Sequence, residues 1–371
     1  MKKSIFFLAI AFGCIACCSS CNCKTSEPEV KNVIYMIGDG MGLAHVSMLM
    51  VENKYEPTAF DRAQNVALIK TYSSNNRVTD SAAAGTALAT GYKTNNSMIG
   101  MTPDSVAVES IMAKAQRAGF ATGLAFTCYL QHATPAAFYA HAEHRDSMRM
   151  ITADFVKSGV DVALGGGRAL VDRYFAKQDK NYVDEMSALG YQVVLSTDEL
   201  AQVEQGKVLG LFADYNMPKA LEGRGDFLVQ ATKKALEVLS NNVAAENKKG
   251  FMLMVEGSKI DYRAHANDPE GLLAEMRDFN ECVMAAMDFA DNNPGTLVVV
   301  CADHETGALG LVSNKTDFKL SESGIRYTFG TSSHSGTMLP VYLYGTGAEK
   351  FNGVMNNTDI AKQLMEMLNL E

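Results

Sequence analysis

The sequence predicts an α/β protein with a mostly parallel sheet. Short apolar or β-branched runs alternate with longer helical patterns from end to end of the 371 residues, which is how βα units read. Several of those runs are continuous rather than alternating, as strands covered on both faces are. No strong linker, internal repeat or low-complexity tract divides the body, so residues 31–371 read as one domain.

Strands are predicted at 33–37, 66–72, 122–127, 160–164, 193–195, 208–212, 251–255, 296–301 and 340–344. A helix over 105–118 has Ser105 as its cap and Gly119 as its stop. Another over 270–291 puts Leu272, Met276, Phe279, Val283, Met287 and Ala290 on one stripe. The polar stretch 168–206 has the weakest strand signal and reads as an excursion from the main sheet.

Residues 1–23 combine Lys2 and Lys3 with an apolar run from Ile5 to Phe12 and then small residues. That is a signal peptide, too short to span a bilayer. Losing it takes the net charge from −9 to −11. Five of the eight cysteines lie here, and Cys17 or Cys21 suits acylation of a bacterial lipoprotein. Residues 24–30 would be a polar tether. The expected location is therefore periplasmic, or outer-membrane-anchored, with the membrane touched only through that lipid. Cys128, Cys282 and Cys301 are few, distant and set in apolar runs, so they read as small buried hydrophobes. An acidic chain argues against nucleic acid as a specific partner. A phosphate ligand would need local positive potential from metals, an Arg or a helix N-terminus.

Ligands of such sheets bind beyond the carboxyl ends of the strands, so the residues just past each strand matter most. Asp39 comes after 33–37, Asp80-Ser81 after 66–72, and His132 and Thr134 after 122–127. Glu256 ends 251–255, and Asp303-His304 lie just past 296–301. Ser81 opens an Ala-rich helix, where the dipole favours an alkoxide or a bound phosphate; a plain helix cap is the rival reading. Asp261 and His265 are four apart and face one side of a helical turn. His334 sits in a small-residue loop. Singly, each of these fits an ordinary polar surface. Together they supply the donors for two zinc ions and a harder, oxygen-loving cation.

The segments VIYMIGDGMG, VTDSAAAGTALATGYKT, HATPAAFYAHAEHR, LGGGR, VEGSKIDYRAH, ADHETG and SSHSG resemble alkaline phosphatases in sequence and order, from about residue 32 to 345. The compact length is similar to small, cold-type bacterial members. The resemblance implies a three-layer sandwich of the alkaline phosphatase type and hydrolysis of small phosphomonoesters, over a broad range, through a phosphoserine. It implies one zinc on Asp261, His265 and His334, and a second on Asp303, His304 and Asp39. Magnesium would be held by Asp39, Thr134 and Glu256. Ser81 would be the nucleophile and Arg145 the phosphate clamp, oriented by Asp80. His132 and Tyr262 stand where other members carry Asp and Lys, and both would act from behind the ligands, His132 through water. A homodimer is a further implication. Phosphodiesterase, sulfatase or phosphomutase chemistry, or a non-catalytic phosphate-binding lipoprotein, are the rival functions. The Ser at position 81 disfavours a sulfatase, which wants a modifiable Cys.

Overall fold

The computed structural model describes residues 29–313 and 324–371. The expected signal peptide and residues 24–28 of the expected tether lie outside the described residues. Val30, at the end of that tether, packs into the core.

Ten strands form one sheet. From edge to edge they are Val354–Asn356, Asn65–Lys70, Leu339–Gly345, Thr296–Cys301, Asn32–Gly38, Phe251–Gly257, Ala121–Tyr129, Val162–Gly166, Lys207–Ala213 and Tyr191–Val194. All neighbours run parallel except Leu339–Gly345, which is antiparallel to both of its partners. All nine predicted strands are present, each within two residues of its expected bounds. The tenth, Val354–Asn356, has only three residues, too few to show a period.

The continuous apolar runs occupy the middle of the sheet. Every residue of Phe251–Gly257 and Thr296–Cys301 is buried, as is Asn32–Gly38 after its first residue. Helices cover both faces of this layer. Phe227–Glu246 packs against Pro269–Asn292, and Ser81–Thr90 packs against Asn357–Met367. The predicted stripe from Leu272 to Ala290 is buried throughout. Asp268 caps that helix by accepting from the Gly271 N–H, and Pro269 takes the first turn, where a missing N–H costs nothing.

Two expectations need correction. The stretch 168–206 does not leave the sheet, because Tyr191–Val194 is its edge strand, in parallel register with Lys207–Ala213. An edge strand is covered on fewer sides, which thins its apolar signal. The helix expected from Ser105 starts at Ile111, where the Ser110 hydroxyl accepts from the Ala113 N–H at 3.1 Å. Ser105 instead sits in a turn at φ +59°, outside helical space. Gly119 does come just past the helix end, in the left-handed region.

Candidate active site

The carboxyl ends of the central strands carry the chemistry, as the acids and histidines placed just past the apolar runs suggested. Asp39 leaves Asn32–Gly38, Glu256 lies near the end of Phe251–Gly257, and Asp303-His304 leave Thr296–Cys301. All four side chains are completely buried. Gly40 lets the first of these turns close. Its φ is +74°, and a Cβ there would lie 2.8 Å from Thr306 Oγ1 and 2.9 Å from the Asp261 backbone.

Three groups of side chains converge. In the first, Asp39 Oδ1 and Asp303 Oδ2 lie 3.4 and 3.2 Å from His304 Nε2. In the second, Asp261 Oδ1 is 3.3 Å from His265 Nε2 and 3.7 Å from His334 Nε2. The His304 and His334 rings stack at 3.5 Å, joining the two groups. In the third, Glu256 meets His132, with Nδ1 3.8 Å from Oε1, and Thr134 lies in the first turn of the short helix that His132 caps. The far ring nitrogens are anchored outside. His265 Nδ1 donates to the Ser332 carbonyl at 2.7 Å, and His334 Nδ1 to the Thr79 carbonyl at 2.9 Å. Each Nε2 faces inward, and loss of its proton would leave the tautomer that a metal ligand needs; in the metal-free fold the His265 Nε2 instead bonds Asp261, which raises that imidazole to about 9.

Ser81 begins the helix Ser81–Thr90, and its Oγ lies 3.1 Å from His304 Nε2. The sequence expectation of a helix start here holds, with Asp80 as the cap accepting from the Ala83 N–H. The other Asp80 oxygen accepts from the Ser97 N–H at 2.9 Å and from Arg145 at 3.4 Å. Arg145 also donates to His132 Nε2 at 3.4 Å. The Tyr262 ring lies 6.3 Å from that of His132, beneath the Lys259 ammonium, and its hydroxyl donates weakly to Asn216. All thirteen site residues expected from the sequence are therefore gathered in one region. His45, His141 and His144 stay outside it: His45 is buried and accepts from the Gly42 N–H, while His144 is exposed.

The electrostatics fit cations. Burial pushes the Glu256 and Asp303 carboxyls up to about 7. Asp39 is raised by burial and then by the charges of Asp303, Asp261 and Glu256. For Asp261 burial also raises, but the hydrogen bond from His265 and the charges of His304 and His265 leave it net lowered. His132 is lowered to about 3 by burial and by Arg145. Both Asp39 oxygens, Asp303 Oδ2, Glu256 Oε1, Thr134 Oγ1 and His132 Nδ1 are buried without a hydrogen-bond partner. Buried carboxylates with free oxygens are costly unless a cation satisfies them. The donor sets can hold one: Asp39, Asp303 and His304 in one place, Asp261, His304 and His334 in another, and Cys128, His132 and Glu256 in a third.

The family model for alkaline phosphatase matches residues 30–323. The chain belongs to the alkaline phosphatase family. It is accordingly a phosphatase. Alkaline phosphatase 4 of Bacillus subtilis is 35% identical over 93% of this chain and 90% of its own length. Alkaline phosphatase of Escherichia coli is 31% identical over 93% and 88%. The structure of alkaline phosphatase from the Antarctic bacterium TAB5 matches with a TM-score of 0.85 at 36% identity, covering 92% of this chain and 99% of that one. Two variants of that enzyme, with a histidine changed to Glu or Asp, have Mg bound in the M3 site.

Sequence reasoning missed Thr306 and Cys128. Thr306 Oγ1 donates to Asp261 at 2.6 Å and contacts His304 Nδ1, so it ties the first two groups together. Its place in the ADHETG segment was the available signal. Cys128 Sγ lies 3.1 Å from Glu256 Oε2, and nothing in its apolar strand marks it out. A cleft of about 1100 Å³ near Glu29, Gln64 and Gly347, at the opposite end of the sheet, contains none of these groups.

Proposed function

We propose that the enzyme hydrolyses phosphate monoesters through a phosphoserine on Ser81, with two zinc ions and a third cation at the three acid clusters. One observation carries this reading. The hydroxyl that opens the Ser81–Thr90 helix lies 3.1 Å from His304 Nε2, amid four buried carboxylates that lack enough positive charge of their own.

Asp261, His265 and His334 would hold one zinc, and Asp303, His304 and Asp39 the other. Asp39, Thr134 and Glu256 would hold the third cation. Ions at these places would lower the pKa of a hydroxyl or water and neutralise phosphoryl oxygens. The chain's own groups do the rest. Ser81 Oγ attacks phosphorus in line as the bond to the alcohol breaks; the serine proton is lost and the departing oxygen takes one up. The N-terminal N–H groups of Ser81–Thr90 favour the negative charge gathering there. Arg145 presents its fork to two non-bridging oxygens, with Asp80 holding it from behind. Water then displaces Ser81 from phosphorus, so configuration is retained overall. None of these groups grips the leaving group, which supports a broad substrate range.

Turnover of p-nitrophenyl phosphate should fall by about 10³-fold or more in Ser81→Ala. Equal activity in the two proteins would remove the serine from the mechanism. Export is part of the same proposal, with the leader cleaved immediately before Cys17 or Cys21 and that cysteine acylated; the intact mass of the membrane-extracted protein tests it. Among the described residues no helix is long and apolar enough to cross a membrane. Sedimentation velocity tests the proposed homodimer.

A further inference from the structure

We propose that Cys128 is a metal donor: its thiolate, His132 Nδ1 and Glu256 hold a zinc-class ion at the third cation site, in place of the magnesium expected there. This rests on the reading of Glu256 as part of a cation site, and it changes which ion that site selects.

The three cysteines of the described residues are all free and fully buried, but their surroundings differ. Cys282 lies against the Thr232 hydroxyl, and Cys301 against the Tyr35 hydroxyl. Those are neutral partners, as a small buried hydrophobe would have. The Cys128 thiol alone points at a carboxylate, 3.1 Å from Glu256 Oε2. It sits two residues beyond Phe126, which is in register with Glu256 on the adjacent strand.

Donor atoms of Cys128, His132 and Glu256 lie within 4.8 Å of one another. Two of the relevant atoms, Glu256 Oε1 and His132 Nδ1, are buried and have no hydrogen-bond partner. Zinc bonds to sulfur, nitrogen and oxygen run about 2.0–2.3 Å, which separates tetrahedral donors by about 3.3–3.6 Å. The thiol lies 3.1 Å from Glu256 Oε2 and the imidazole Nδ1 3.8 Å from Glu256 Oε1, so the two groups flank one carboxylate at separations within about half an ångström of that edge. Magnesium prefers six hard oxygens and gains nothing from a thiolate. Thr134 Oγ1, buried and unpartnered, is a candidate for a fourth donor.

Binding would displace the thiol proton to solvent. Coordination through His132 Nδ1 leaves the ring proton on Nε2, which ends the 3.4 Å contact with Arg145. That releases the guanidinium for phosphate, so the occupant of the third site and the clamp are linked through one ring.

The test uses the full chain loaded with Co²⁺, read by absorption, and zinc content measured by mass spectrometry after dialysis against excess magnesium. Wild type and Cys301→Ser should show a thiolate-to-cobalt charge-transfer band that Cys128→Ser lacks. The cysteines within residues 1–23 are common to all three, so the difference reports position 128. Zinc retention against magnesium should fall about 10-fold or more in Cys128→Ser. An unchanged spectrum and unchanged retention in Cys128→Ser overturn the inference. A Glu256→Gln chain that keeps all its divalent metal overturns the cation site itself, whatever Cys128 does.

Discussion

Two parts of the molecule bury acids, and they treat them in opposite ways. Behind the helix Pro269–Asn292, the guanidinium of Arg224 binds both Glu275 and Asp278. Glu275 also accepts from the Ala220 N–H at 2.9 Å. Those acids are compensated by the chain itself. At the carboxyl ends of the central strands, Asp39, Asp303, Asp261 and Glu256 crowd together with Arg145 as the one arginine among them, and several of their oxygens have no partner. The first arrangement is a strut. The second is a socket whose mutual repulsion a positive ion would relieve, and the difference is visible in which oxygens are left free.

The sharpest way to break this contrast is Asp39→Asn. Activity should fall by about 10³-fold, yet the chelated variant should melt at a higher temperature than the chelated wild type, because one repelled charge is gone. A lower melting temperature would mean that Asp39 is structural. The same logic fixes a sign for pH. Glu256 and Asp303 titrate near 7 in the metal-free fold, above the ordinary carboxyl value of about 4. Their contribution is therefore complete below pH ~4 and is lost as pH rises through about 7. Calorimetry of chelated protein should show melting temperature declining across that window, and zinc should abolish the decline.

The strut should respond in reverse. Arg224→Ala should cost about 3 kcal/mol in denaturant unfolding, since it strands the buried Glu275 and the partly buried Asp278, while metal content per folded chain stays unchanged. A loss of metal would show that the two regions are coupled. Arg145→Ala should cost about 1.5–3 kcal/mol of transition-state binding, or roughly 10- to 100-fold in kcat/KM, with little change in zinc. The smallest effect belongs to Asp80→Ala. Loss of the cap should cost about 1 kcal/mol of stability, together with a modest rise in KM as Arg145 loses its support.

The contrast also shows where sequence reading works. Asp39, Glu256 and Asp303 were legible because each closes an apolar run that must be a buried strand, and an acid in that place is expensive unless it binds something. The helix 270–291 was legible from its stripe alone. The edge strand Tyr191–Val194 was harder, because partial exposure weakens the apolar run that marks a strand. The start of the helix at Ile111 was misplaced because Ser105 and Ser110 are both competent caps, and only the turn around Ser105 decides between them.

By itself the sequence determined the sheet, its parallel sense, the carboxyl-end location of the chemistry and the residue types that gather there. Local period and strand order carry that information, since they act along the chain. Tertiary structure decided which atoms face one another: that the His304 and His334 rings stack, that Thr306 links Asp261 to His304, and that Cys128 approaches Glu256 from the next strand. Those relations join residues tens to hundreds of positions apart at ångström precision, and only the packing of completed strands can set such distances.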